Sequence, residues 1–206
     1  MRPLPRLHAI TNDVICRGAD FGIQAAAIAA AGSGVAIHAR APESTTAQLT
    51  IFAQRILALA RPAEAAVVVS TRPDLAQSVG AQGVQLRAGD LTVADARRIF
   101  TTGWIGRSVH SEAEAEAAVL EGADYLLVGT IFESASHPGH SAAGLGMVTR
   151  AAALGKPVLA IGGMDPDRAR AARDAGAWGV AAISALWPVR DPYAAALEML
   201  EAMGGE

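Results

Sequence analysis

Two adjacent glycines and a serine are the residues of this chain best suited to chemistry, and that chemistry is anion binding. Gly162 and Gly163 follow one short apolar run, and Ile183 and Ser184 follow the next. Neighbouring glycines let the backbone approach an anion closely, and a helix beginning near Ser184 would add oriented N–H donors. The alternative is that the glycine pair only turns the chain. Because Lys156 is the only lysine and precedes a strand-like run, we expect backbone amides, hydroxyls, histidine or arginine to hold a phosphate.

Polar side chains at the ends of other apolar runs complete a candidate pocket. His38 and Arg40 share one face of a strand, since side chains two residues apart point the same way. Gln85, Ser108 and Thr130 hold similar positions on later runs. Histidine titrates near neutral pH, so His38 is a candidate proton acceptor. The alternative is that it is a solvated residue at the rim.

The longest polar segment runs from 129 to about 146 and carries small residues and histidines. Ser134, Ser136 and His137 lie within it, and Gly144 is a flexible point near its end. Long loops in compact domains are usually functional or disordered. We expect this loop to fold over a bound phosphate as a lid; a disordered surface excursion is the alternative.

The elements that position these residues are eight short apolar runs alternating with segments of helical periodicity. The strands are predicted at 7–10, 35–38, 66–69, 83–86, 104–106, 125–128, 157–160 and 179–183. The helices are predicted at 22–31, 47–60, 73–79, 93–100, 112–121, 147–154, 166–174 and 193–203. Continuous apolar strands separated by helices are typical of a parallel sheet covered on both faces.

Eight such units within residues 1–206 predict an α/β fold, a single parallel eight-stranded (βα)₈ TIM-barrel domain. An open doubly wound sheet is the competing fold, but it usually has five or six strands. In a TIM barrel the site lies at the carboxyl ends of the strands. All the candidates above fall there, whereas Lys156 falls at the opposite end.

Composition narrows the class of partner. The formal net charge is −3 with no block of like charges, which argues against nucleic acid or an anionic membrane surface. No apolar run is long enough to span a bilayer, and Cys16 has no cysteine to pair with. We expect a cytoplasmic protein whose partner is a small phosphorylated substrate. The oligomeric state stays open, with a homodimer as one option.

At these residues the chain resembles the family of thiamine phosphate synthase and its TenI-type relatives, the thiazole tautomerases. The resemblance covers essentially the whole chain and is carried by segments 8–13, 106–111, 122–132, 157–164 and 176–184. It implies a TIM barrel and a ligand related to the thiazole phosphate half of thiamine. The candidate residues for binding this ligand are Gln85, Ser108, Ser134, Ser136, Gly144, Gly162, Gly163, Ile183 and Ser184.

The departures from the family pattern fall on the part of the site where the synthases bind the pyrimidine diphosphate. The synthases carry Gln-Xaa-Arg-Glu-Lys on strand two, where this chain has Ala36, His38, Ala39 and Arg40 at the four polar positions. The Asn-Asp pair that helps hold magnesium after strand three is replaced by Ser70 and Thr71. Asp90 remains as the one weak candidate metal ligand, and a single carboxylate is a poor anchor for Mg²⁺.

These departures favour a TenI-like protein that binds a thiazole carboxylate phosphate and moves a proton, with no cofactor. The tautomerases place a histidine where Thr130 stands, and threonine cannot act as a base near neutral pH. His38 or His137 would therefore transfer the proton, while Arg40 pairs with the carboxylate.

Two alternatives remain open. One is thiamine phosphate synthase activity, which joins hydroxymethylpyrimidine diphosphate to thiazole phosphate with release of pyrophosphate. That reaction would call for Mg²⁺, or for Arg40 and Arg87 in place of lysine and metal. The other is a non-catalytic binding or regulatory relative that has kept the phosphate site.

Overall fold

Eight parallel strands close into a barrel, each paired with its neighbour along the chain and the last with the first. The structure is a computed structural model that describes residues 2–133 and 142–204. The strands are β1 Leu7–Ile10, β2 Val35–Ala39, β3 Ala66–Ser70, β4 Gly83–Leu86, β5 Trp104–Val109, β6 Tyr125–Val128, β7 Val158–Ile161 and β8 Gly179–Ala182. The predicted TIM barrel is confirmed.

Helices connect the strands. They are α1 Asp13–Arg17, α2 Phe21–Ala29, α3 Thr46–Ala60, α4 Pro73–Val79, α5 Val93–Ile99, α6 Glu112–Leu120, α7 Leu145–Ala152, α8 Pro166–Asp174 and α9 Pro192–Ala202. The side chains of Thr92, Ser111 and Asp165 accept a backbone N–H at the starts of α5, α6 and α8, as N-caps do. In the part of the chain that the structure describes, no helix combines the length and apolarity needed to cross a bilayer.

Two apolar cores pack against the sheet, one outside the barrel and one inside it. The larger lies between strands and helices and is rich in alanine, which lets the helices approach closely. The smaller fills the barrel and is built from Ile10, Val68, Tyr125 and Leu159 among others. Buried polar residues accompany this inner core, among them His8, His38 and Gln85. The interior of the barrel is therefore partly polar.

Three local predictions differ from the structure. The short helix α1 was not predicted, because five residues are too few for a helical period to show. Strand β5 extends to Val109, so Ser108 lies within the strand and not after it. After β8 there is one turn and no helix: the amides of Leu186 and Trp187 both donate to Ile183 O at 3.1 Å, and Pro188 disfavours further helix.

Candidate functional site

Only glycine fits at positions 162 and 163 after β7, where the backbone packs against the loop after β6. Gly162 has φ +107° and Gly163 has φ +61°, both in the region that favours glycine. A Cβ on Gly162 would lie 2.5 Å from Thr130 Cγ2, and one on Gly163 would lie 2.5 Å from the Glu133 carbonyl oxygen. Close packing and backbone conformation both require these two glycines.

The carbonyls of this glycine pair accept hydrogen bonds within the fold. Gly162 O accepts from Phe132 N at 3.3 Å, and Gly163 O accepts from Arg168 Nη1 at 2.6 Å. The amides of Gly162, Gly163 and Ser184 donate to no acceptor within residues 2–133 and 142–204. We name these three the amide cluster. Unpartnered amides grouped at the ends of two neighbouring strands can bind an anion.

Thr130 and Gly144 hold the two ends of the loop after β6 together. Thr130 O accepts from Ala143 N at 2.8 Å, and Gly144 N donates to Ile131 O at 3.1 Å. The Gly144 amide is therefore occupied, and the prediction that it binds phosphate needs correction: Gly144 starts α7 with φ +71°. Ser134, Ser136 and His137, and with them the predicted lid, lie outside the described residues.

Arg40, at the end of β2, is a half-buried cation. Its guanidinium makes no hydrogen bond or ion pair within the described part of the chain. Burial lowers the pKa of Arg40, and the nearby Arg87 lowers it further, while Asp13 opposes both. Two guanidinium groups that repel each other at the mouth of a barrel are an electrostatic site for an anion.

Asp13 joins the loops after β1 and β2 beside Arg40. Its carboxylate accepts from Ser44 Oγ at 2.8 Å, from Glu43 N at 3.1 Å and from Arg17 Nη2 at 3.4 Å. Burial acts to raise the pKa of Asp13, but these hydrogen bonds and the Arg17 charge outweigh it and hold the pKa below its usual value. Asp13 is thus an ionised structural group.

The residues around Asp90 do not form a magnesium site. Asp90 accepts from Arg87 N at 2.7 Å and from the Arg87 guanidinium at 3.5 Å, so it closes a turn. Thr92 is the cap of α5. Among the described residues no three His, Cys, Asp or Glu side chains are grouped to hold a metal ion. The donor set here does not fit Mg²⁺.

His38 faces the barrel interior as its strand position predicts, but it lies deeper than the predicted mouth position. It is fully buried and contacts His8, with His8 Nδ1 and His38 Nε2 2.7 Å apart. Burial lowers the pKa of His8 to about 3. Burial, together with the charges of His8 and Arg40, puts the pKa of His38 well below its usual value. Both rings are neutral, and His38 has no solvent-exposed surface.

His8 was not singled out by the sequence analysis. The signal was present, because His8 shares its strand face with Ile10, and the register pairs it with Ala36. Gln85 is another buried residue in this interior, and its Nε2 donates to Ser108 Oγ at 3.0 Å. Ser108 is half-buried at the edge of the mouth, and Gln85 supports it from below.

The closed barrel of eight strand–helix units first places the chain among the TIM barrels. Residues 7–186 match the family described as thiamine monophosphate synthase. A thiamine-phosphate synthase of Thermus thermophilus is 40% identical over 179 residues, covering 86% of each chain. One of Anaeromyxobacter dehalogenans is 41% identical over 191 residues, covering 90% of this chain and 84% of the relative.

A solved structure supports the same relationship. The thiamine phosphate pyrophosphorylase from Pyrococcus furiosus superposes with a TM-score of 0.82 at 29% identity, over 97% of this chain and 95% of the other. The chain belongs to the thiamine monophosphate synthase family, a family of enzymes of thiamine biosynthesis.

Proposed function

We propose that this protein joins a hydroxymethylpyrimidine diphosphate to a thiazole phosphate and releases pyrophosphate. The names of its relatives support this transferase reaction. The observation that carries it is the half-buried Arg40 guanidinium, which has no hydrogen-bond or ion-pair partner among residues 2–133 and 142–204 and lies near Arg87. Only β1 separates β2 from β8 in the barrel, so a diphosphate at Arg40 and a phosphate at the amide cluster belong to one continuous site.

The chemistry suits the side chains at this site. The thiazole nitrogen forms a bond to the methylene carbon of the pyrimidine, and the bond from that carbon to the diphosphate oxygen breaks with its electron pair leaving on pyrophosphate. The nitrogen becomes quaternary, so no proton has to be removed. Arg40 and Arg87 would stabilise the negative charge that grows on the leaving group.

Arginine would also take over the role of the metal. The described residues offer no cluster of metal ligands, and Asp90 is engaged by Arg87. Guanidinium groups bind phosphate oxygens through paired N–H donors, so two of them can neutralise a diphosphate. We therefore expect weaker Mg²⁺ dependence than a carboxylate-built site would show.

The TenI-like proton transfer, favoured from the sequence, stays an untested prediction. Of its two candidate bases, His38 is buried and neutral, and His137 lies outside the described residues. Thiazole isomerisation without pyrophosphate release would support that reaction instead.

The direct test incubates the protein with hydroxymethylpyrimidine diphosphate and thiazole phosphate and measures thiamine phosphate and pyrophosphate together. We expect the two products in equal amounts. Arg40→Ala should lower kcat/KM by about 100-fold, because a charged contact to the substrate contributes about 2–3 kcal/mol. Arg40→Lys should retain part of the activity, because it keeps the charge but loses the paired N–H donors.

The matched control is Arg61→Ala. Arg61 is exposed beyond the end of α3, at the opposite end of the barrel from the site. Its removal should leave kcat/KM unchanged. Absence of pyrophosphate at saturating substrate, or full activity of Arg40→Ala, would contradict the proposed function.

A further inference from the structure

Three buried polar atoms inside the barrel have no hydrogen-bond partner among the described residues. They are His38 Nδ1 on β2, Gln85 Oε1 on β4 and the Tyr125 hydroxyl on β6. Their residues are 0%, 4% and 0% exposed. Buried polar atoms are nearly always paired in native proteins, with protein or with ordered water. Three unpaired atoms in one small interior therefore call for an occupant.

Contacts with His8 and Gly106 connect the three side chains inside the barrel. The His8 ring lies 5.0 Å from the His38 ring and 5.7 Å from the Tyr125 ring, between centroids. A methyl group on Gly106 would collide with both the Tyr125 ring and Gln85 Oε1. Tyr125 and Gln85 therefore lie side by side over Gly106, and the absence of a side chain at Gly106 makes room for both.

Fixed hydrogen bonds decide which histidine atoms donate. His8 Nε2 lies 3.1 Å from the Pro5 carbonyl oxygen, which can only accept, so Nε2 carries the hydrogen. Since His8 is neutral, its Nδ1 accepts, and His38 Nε2 must donate to it across 2.7 Å. His38 is neutral as well, which leaves its Nδ1 as an acceptor.

The same reasoning applies to Gln85. Its Nε2 donates to Ser108 Oγ at 3.0 Å and to the Leu86 carbonyl oxygen at 3.3 Å. The amide cannot be reversed, because its oxygen would then face a carbonyl. The interior thus presents two acceptors, His38 Nδ1 and Gln85 Oε1, together with one hydroxyl that can donate.

We propose that one ordered water molecule occupies this interior, donating to His38 Nδ1 and Gln85 Oε1 and accepting from the Tyr125 hydroxyl. A water has two donors and spare acceptors, so it satisfies all three atoms, and three hydrogen bonds are typical of a buried water. It also completes a hydrogen-bonded path from Pro5 through His8, His38 and Gln85 to Ser108 at the mouth. The interior water positions Gln85 and, through it, Ser108.

The first test is a crystal structure of the ligand-free protein at high resolution. A density peak about 2.6–3.2 Å from all three atoms is expected. An empty interior, or a direct bond between Tyr125 and Gln85, would overturn the assignment. Imidazole ¹⁵N spectra provide a second readout, in which both His8 and His38 should be protonated at Nε2. Protonation of either ring at Nδ1 would contradict the donor count.

The variant Tyr125→Phe distinguishes a water-bonded hydroxyl from an unpaired one by the direction in which the melting temperature changes. If the water is present, it loses its donor, and the melting temperature should fall by about 2–6 °C. If the hydroxyl is truly unpaired, its removal should leave the melting temperature unchanged or raise it, and the assignment fails. The matched control is Tyr193→Phe, the other tyrosine, which is 43% exposed on α9. Its melting temperature should not move.

Discussion

The two halves of the proposed ligand site are built from different parts of the chain. After β7 and β8 the amide cluster offers main-chain N–H groups, held in place by packing against the loop after β6. After β2 and β4 the site instead offers the guanidinium groups of Arg40 and Arg87. A backbone site is fixed by conformation, whereas a side-chain site can exchange one charged group for another.

That difference explains where the chain departs from its relatives' pattern. The departures fall on β2 and β3: Ala36, His38 and Ser70 are buried, whereas Arg40 and Thr71 follow the two strands on the side of the barrel where we propose that the diphosphate binds. The glycine pair after β7 keeps the pattern, because any side chain there would collide with Thr130 or Glu133. Thiazole phosphate binding and diphosphate binding should therefore respond to different kinds of substitution.

The largest effect is expected for Gly162→Ala, which changes the amide cluster. The new Cβ would lie 2.5 Å from Thr130 Cγ2 and 3.0 Å from Thr130 Cα, at φ +107°. Positive φ and overpacking together should lower the free energy of unfolding by about 2–5 kcal/mol. Thiazole phosphate affinity should fall at least about 100-fold. Denaturant unfolding and calorimetry measure the two effects.

Gly80→Ala is the matched control for conformation alone. Gly80 ends α4 with φ +73°, and nothing lies within 4 Å of a Cβ placed there. We expect a loss of about 1–2 kcal/mol in the free energy of unfolding and unchanged phosphate affinity. If the two variants behaved alike, close packing against Thr130 would not be what fixes the amide cluster.

The second-largest effect is the pH dependence of stability, which arises from His8 and His38 in the barrel interior beneath the proposed site. The pKa of His8 is about 3 and that of His38 is also far below 6.5, so below pH 6.5 the unfolded chain takes up protons that the folded barrel cannot. Stability is full above pH 6.5 and falls as the pH drops toward 3. Each histidine contributes about 1.4 kcal/mol per pH unit, so unfolding at pH 5.5 should cost about 2–3 kcal/mol less than at pH 7.5.

Urea unfolding across this range measures the slope. A flat profile between pH 7.5 and 5.5 would show that the His8–His38 pair is not neutral and buried in solution.

The sequence predicted the parts of the site that depend on order along the chain. Strand runs and glycine positions gave the barrel and the placement of Gly162, Gly163 and Ser184, because a parallel barrel brings strand ends together in a known order. It could not show that Gly144 N would be taken by Ile131 O. That bond depends on how two ends of one loop meet.

The depth of an inward-facing side chain in the barrel was the other property that the sequence did not predict. Alternation put His38 on the inner face, but whether an inner residue lies at the mouth or below it depends on the stagger of neighbouring strands. Here Ile10 pairs with His38, and His8 lies within hydrogen-bond distance of it. The strand register therefore places His38, the candidate base, in a buried and neutral pair with His8.

The smallest effect is expected for Ser184→Ala. The hydroxyl is exposed on the turn after β8, and the amide that we assign to phosphate binding stays in place when the hydroxyl is removed. A single neutral hydrogen bond is worth about 1 kcal/mol, so thiazole phosphate affinity should fall only about 2- to 5-fold. Ser33→Ala, exposed beyond α2 at the other end of the barrel, should have no effect. Calorimetric titration resolves this range. A loss above about 30-fold would mean that the Ser184 side chain carries the binding, and the contrast between a backbone half and a side-chain half would then fail.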